Sequence, residues 1–142
     1  MRNAEHIKIR RVSWLYEAAQ LSAIRRRVFI EEQAVPEELE LDGEDAGAEH
    51  WLGYVDDAAV GTVRLLPDGH IGRMAVLAER RHQGIGSALL SAAVAYARAS
   101  GMVDIYLHAQ IHALPFYAVR GFRAEGDIFM DAGIAHRCMR LR

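Results

Sequence analysis

Cysteine is almost missing from this chain, with Cys138 alone among 142 residues. A single thiol cannot build an intramolecular disulfide framework, which suits a reducing compartment and predicts a cytoplasmic protein. Near the C-terminus, Cys138 reads as a small apolar filler rather than a nucleophile. Net charge is small as well, at −2, so the broad basic field of a general nucleic-acid binder is absent. Long hydrophobic runs are lacking too. The longest weakly polar stretch, 84–97, is too short and too alanine-rich for a bilayer. The N-terminal MRNAEHIKIRR has no signal-peptide apolar region. Repeats, low-complexity tracts and linkers are not found.

What is present is an ordinary globular mixture, 51% apolar and 25% charged. That composition supports one packed domain over residues 1–142. Ile7, Ile9 and Val12 alternate with charged residues and predict a first strand. From Leu15 to Glu32, the positions of Leu21, Ile24, Val28 and Phe29 share one helical face, with Arg25, Arg26 and Arg27 as its solvated side. Pro36 ends this helix, and 37–50 is polar and reads as a loop. HWLGYVDD, AAVGTVRLL and HIGRMAVL predict a three-strand meander that turns at Asp56-Asp57 and Asp68-Gly69. Gly84 to Ser100 follows as a helix, with Ile85, Leu89, Ala92 and Tyr96 on one face and Gly101 as its C-terminal cap. VDIYLHA reads as a buried strand and ALPFYAVRGF as a short helix closed by Gly121. The rest reads as two strands joined at Ala132-Gly133. The order β-α-βββ-α-β-α-ββ predicts an α/β fold of the α+β kind, a mixed sheet with helices packed on it.

One corner carries chemistry. RRHQGIGSALL, 80–90, places two arginines, a histidine and two glycines directly before a helix. A helix N-terminus presents unpaired N–H groups and partial positive charge. Glycine lets backbone approach a ligand closely. The combination suits a phosphate. It is not a P-loop, because no Gly-Lys-Ser/Thr follows, and the third small residue of a dinucleotide fingerprint would fall at Leu89. It does match R-x-x-G-x-G through Arg81, Gly84 and Gly86.

With a strand before it, a strand after its helix, and then FYAVRGF, this segment resembles the pyrophosphate loop of the GNAT acetyltransferase superfamily. The element order is similar over nearly the whole chain. RRVFIEEQAVPEELELDGED, His50 and GIAHRCM resemble the ElaA-like branch. The resemblance implies a GNAT acyl-CoA acyltransferase fold, acetyl-CoA as cosubstrate, no metal, and an amine acceptor. Met74 and Val76 would offer backbone groups to the pantetheine arm and thioester. Arg81, His82, Gln83, Gly84, Ile85, Gly86 and Ser87 would wrap the pyrophosphate with their amides. Tyr117 would lie near the thioester sulfur as general acid. Gln110 stands where many members place an asparagine that holds the cofactor. Many relatives also form homodimers through their late strands.

Acetyl transfer from a thioester to a primary amine needs deprotonation of the amine, a donor for the oxyanion and a proton source for the thiolate. Many GNATs carry a glutamate on the fourth strand, where this chain has Ile71. By strand alternation the adjacent His70 points to the other face. His108 and Glu32 remain as candidate bases, beside a water chain. From Glu31 to Glu49 there are nine carboxylates and no lysine or arginine. This segment reads either as a solvated loop or as an anionic strip that attracts a cationic acceptor. A rival reading of the chain, an acyl-CoA-binding sensor without turnover, follows from the missing glutamate. A nucleotide-binding regulator is a third.

Overall fold

The computed structural model describes residues 6–142. In chain order the strands and α-helices are β1 (Ile7–Val12), α1 (Trp14–Arg25), α2 (Glu37–Glu40), β2 (Glu49–Val55), β3 (Ala58–Leu65), β4 (His70–Val76), α3 (Ile85–Ala99), β5 (Tyr106–Gln110), α4 (Leu114–Ala118), β6 (Phe122–Asp131) and β7 (Ile134–Leu141). They form a mixed α/β architecture around one seven-stranded sheet, ordered β1-β2-β3-β4-β5-β7-β6. Every neighbouring pair is antiparallel except β4 and β5, which run parallel. The meander turns where Asp56-Asp57 stand, and the last hairpin where Ala132-Gly133 stand. All four residues have positive φ (49°, 71°, 52° and 78°), as a two-residue hairpin turn matched to the sheet twist requires.

Ser13 starts α1 by accepting the Leu15 N–H on its hydroxyl at 3.1 Å. The helix runs on into a π-helical segment, Arg26–Glu32, so the expected Leu15–Glu32 helix is one rod whose last part widens. α3 ends as expected at Gly101. The Gly101 N–H returns to the Arg98 carbonyl and the Met102 N–H to that of Ala97, which satisfies two orphan carbonyls.

Neighbouring residues on β2 report the two faces of the sheet. His50 stacks on Trp14 of α1, while Trp51 meets Tyr96 of α3 edge to face. Leu21, Ile24 and Val28 bury the α1 face, and Ile85, Leu89, Leu90, Ala93 and Ala97 the α3 face.

Two expectations need correction here. The 37–50 stretch is not a simple loop, because it holds α2 and a 3-10 turn at Asp45–Gly47. Arg25 is not on a solvated side: it is 1% exposed. One helical turn beyond Leu21, it shares the apolar face, and its charge is met from the acidic segment. Arg25 Nε and Nη2 donate to Glu40 at 3.0 and 2.7 Å, and Nη1 and Nη2 donate to Asp45 at 2.8 and 3.1 Å. Arg64 of β3 then bridges Asp45 and Asp42. Arg73 of β4 reaches Glu40 and Asp42 at 2.9 and 3.1 Å. Three arginines and three carboxylates thereby neutralise one another and pin the acidic segment onto the sheet.

Candidate active site

β4 and β5 pair only through His70–Tyr106 and Ile71–Leu107, then separate. The cause is local to β4. Thr62 pairs with Ala75 and Arg64 with Gly72, so Arg73 and Met74 together oppose the single residue Val63. Such a bulge bends its strand, and Arg73 takes it up with a φ of 48°. The facing edges of the two strands are left unpaired beyond Leu107. Between them opens a cleft of about 930 Å³, and every residue expected at the cofactor or catalytic site lines it except Gln83.

One end of the cleft is the glycine corner. Gly84 has φ +91° and caps α3 without a side chain. The first helical return bond runs from the Ala88 N–H to the Gly84 carbonyl, which leaves the amides of Ile85, Gly86 and Ser87 without intrahelical partners. At Gly86, an added Cβ would meet nothing closer than Val76 Cγ2 at 3.8 Å and Phe116 Cζ at 3.9 Å. Packing within the chain therefore does not demand glycine there, and the space lies open in front of donors. Unpaired donors at a helix start suit a phosphate group.

Side chains at this corner behave differently from a simple cationic patch. Arg81 donates bidentately to Glu32 at 2.7 and 2.6 Å and through Nε to the Val76 carbonyl at 2.9 Å. Its hydrogen bonds hold the Glu32 carboxyl below the usual range. One lone pair of the Val76 carbonyl is thus taken within the chain. Gln110 donates its amide to Gln33 at 3.1 Å. Adjacent residues at the end of the π-helical segment thereby hold the two diverging strands, Glu32 through Arg81 and Gln33 through Gln110. The cation that the sequence did not reveal is Arg120. It lies 3.9 Å above the Phe116 ring, donates to Ser87 Oγ at 3.1 Å, and meets no carboxylate among the described residues. Its position beside Ser87, 33 residues away in sequence, is one that no local motif encodes.

Tyr117 stands in the wall between Phe116 and Phe122, with ring centroids 5.0 and 6.0 Å away. Burial pushes its hydroxyl up to about 12, so it stays protonated at neutral pH. Among the described residues nothing hydrogen-bonds that hydroxyl, and it is free to donate.

The opposite part of the cleft is floored by histidines. His70 does not point away as alternation predicted. The extra residue of the bulge changes the parity between Val76 and the start of β4. Ile71 is buried at 2% exposure and borders the cleft, and His70 lines it with His108. Their rings lie 4.6 Å apart, His108 meets Phe129 edge-on at 5.0 Å, and Phe129 stacks on His136 at 5.8 Å. Burial, helped by His108, lowers His70 to about 4. Partial desolvation also lowers His108, against the pull of Asp131. His136 was not singled out from the sequence, and only the pairing of β5 with β7 brings it here.

The acidic segment is mostly committed. Glu40, Asp42 and Asp45 face the three arginines, Glu37 pairs with Arg26, and Glu49 with Arg11. Burial pushes the Asp42 carboxyl up, but Arg64 and Arg73 more than reverse this. Glu31, Glu38 and Glu44 are the exposed carboxylates of the stretch with no ion pair among the described residues.

Comparison with known proteins places this geometry. The family model of the acetyltransferase (GNAT) domain matches residues 15–142. The uncharacterized N-acetyltransferase YjcF of Bacillus subtilis (strain 168) is 36% identical over 117 residues, 80% of this chain and 84% of that relative. The crystal structure of Escherichia coli ElaA superposes with a TM-score of 0.86 at 25% identity, over 96% of this chain and 100% of that one. An acyl-CoA N-acyltransferase from Pseudomonas aeruginosa gives 0.80 at 27% identity, over 97% and 99%. No helix among the described residues is long and apolar enough to cross a membrane. A strand split by a bulge, an open helix start and a tyrosine in the wall thus accompany a match over nearly the full length, and the chain belongs to the GNAT acetyltransferase family.

Proposed function

We propose that residues 1–142 act as one N-acetyltransferase domain that moves an acetyl group from acetyl-CoA to a primary amine by direct attack. The observation that carries this reading is a single cleft that joins the unpaired amides of Ile85, Gly86 and Ser87 to the free hydroxyl of Tyr117. The amides would hold the pyrophosphate, with Arg120 beside them. The unpaired edge of β4 at Met74 to Val76 would receive the pantetheine arm and offer an N–H to the carbonyl oxygen as it becomes negative. The Tyr117 hydroxyl would donate to the sulfur as the C–S bond breaks. Its raised pKa makes it a constant donor, and full transfer occurs only as charge builds on the sulfur.

A second reading has one observation in its favour. Ile71, where many family members carry a glutamate, is buried in the core. A non-catalytic acyl-CoA-binding module is consistent with that position.

Release of the CoA thiol, followed over a panel of primary amines, separates the two. Turnover with at least one amine, and a roughly 10²-fold loss of kcat in Tyr117→Phe with acetyl-CoA affinity kept, is the expected result. Tight acetyl-CoA binding without release for any amine would favour the sensor. Full kcat in Tyr117→Phe, with chemistry rate-limiting, would remove the tyrosine from its role.

A further inference from the structure

We propose that His136 is the general base that removes the proton from the incoming amine. The inference rests on the acetyl-transfer reading and assigns the proton acceptor that reading lacks. His136 lies on β7 opposite Gln110, the last residue of β5, so it stands on one arm of the split. It lines the cleft yet is only 9% exposed.

The state of the ring is fixed by its surroundings. Nδ1 lies 2.7 Å from the Ile134 carbonyl. A carbonyl oxygen only accepts, so Nδ1 carries the hydrogen, and the neutral ring holds its lone pair on Nε2. No other hydrogen bond reaches the ring among the described residues. Phe129 stacks on it at 21° between planes, so rotation would cost both the stacking and the hydrogen bond. The ring thus presents a basic nitrogen in one tautomer and one orientation. His108 on β5 interacts electrostatically with His136, and also with Asp131 at the end of β6 and Arg140 on β7.

The other candidates are each less suited. Glu32 is held bidentately by Arg81. His70 is stacked on Tyr106 and tilted against His108, and burial lowers it to about 4. His108 is exposed and has no hydrogen bond to fix its tautomer. His50 donates to the Asp45 carbonyl away from the cleft. Among the described residues, His70, His108 and His136 do not converge as metal ligands would.

The step balances as follows. An alkylamine arrives as its ammonium form, and His136 Nε2 takes one proton. The freed amine attacks the thioester carbon, the C–N bond forms, and the carbonyl pair moves to oxygen. When the carbonyl re-forms, the C–S bond breaks with its pair on sulfur. Sulfur takes the Tyr117 proton, and the surplus proton on nitrogen returns to the phenolate. The His136 imidazolium releases its proton to solvent, one per acetyl group moved.

His136→Asn is the first test, because an amide NH₂ can still donate to the Ile134 carbonyl. The expected loss in kcat/KM is about 10²- to 10⁴-fold with an alkylamine. It should be below about tenfold with an acceptor of the hydroxylamine class, which is already unprotonated at neutral pH. Acetyl-CoA affinity by calorimetry should not change, and imidazole should restore part of the activity of His136→Ala. Equal losses with both acceptor classes would make His136 structural and overturn the proposal, as would near-normal kcat/KM with the alkylamine. Wild type that releases no CoA with any amine would overturn the acetyl-transfer reading and this one with it. Active wild type with an unimpaired variant would sink this one alone. Should the variants not fold, ¹⁵N spectra of wild type decide. The Nε2 resonance of His136 is expected to move as an alkylamine is added with CoA present, and a resonance that stays put would overturn the assignment.

Discussion

On one side of the cleft the ligand-facing groups are the amides of Ile85, Gly86 and Ser87, consecutive in sequence and aimed by one helix start. On the other side stand the side chains of His70, His108 and His136, one from each of three strands. The first half is backbone, chemically uniform and tolerant of most side chains around it. The second half is side chain, specific in chemistry, and exists only when the whole sheet is assembled. A cosubstrate shared across a fold can be held by the first kind of surface. Discrimination among acceptors has to come from the second. The wall behind the second half is the buried ion network, which ties the acidic segment to Arg73 at the bulge.

The largest effect expected from breaking this comparison lies in that wall. Arg25→Met leaves Asp45 and Glu40 buried with one cation fewer. Removal of one partner from a buried pair costs about 3–5 kcal/mol. Chemical denaturation should show a loss of this size, and below the unfolding transition the acyl-CoA affinity of the folded protein should stay within about twofold, a change of roughly 0.4 kcal/mol. A stability change below about 1 kcal/mol, the level of an exposed ion pair, would mean that the network is not what holds the segment.

The same contrast explains what the sequence disclosed. R-x-x-G-x-G was legible because its parts lie in adjacent positions at one helix start. The hairpins were legible because Asp56-Asp57 and Ala132-Gly133 are local. Arg25 was misread because helical periodicity gives a face, not a partner, and its partners lie 15 and 20 positions away. His70 was misread because alternation assumes an unbroken strand, and nothing in HIGRMAVL marks Arg73 as the residue that adopts positive φ. His136 gains its meaning from strand order and Arg120 from a contact 33 positions away, neither of which a short window contains.

An intermediate effect is expected in the backbone half. Gly86→Glu adds a side chain where the protein itself leaves room, so the variant should fold normally. The added bulk and negative charge would sit in front of the donors meant for phosphate. Acetyl-CoA affinity by calorimetry should fall at least tenfold, on the order of 1.4 kcal/mol. Unchanged affinity in the folded variant would move the phosphate site elsewhere, while the histidine floor would keep its assignment.

The smallest effect tests whether the acidic segment reaches beyond its own fold. Its inward carboxylates are neutralised by Arg25, Arg64 and Arg73, so they offer little field to a ligand. Replacement of Glu40 would report on folding rather than on recruitment. Glu31, Glu38 and Glu44 are exposed and unpaired among the described residues, and they are the ones to change to glutamine together. At ~0.01 M salt the screening length is about 30 Å, and three charges can act jointly on an approaching cation. For a cationic amine, kcat/KM should then drop by about two- to fivefold, which is within what a few long-range charges of a few tenths of a kcal/mol each supply. Near ~0.15 M, with screening over about 8 Å, the difference should shrink below about twofold. The KM for acetyl-CoA should not change at either salt. A neutral amine of similar shape serves as the internal control, because it carries no charge for the rim to attract. A defect shared by both amines would assign these residues to shape rather than charge. No defect at low salt would show that every useful negative charge in the segment is already committed to the arginines beneath it.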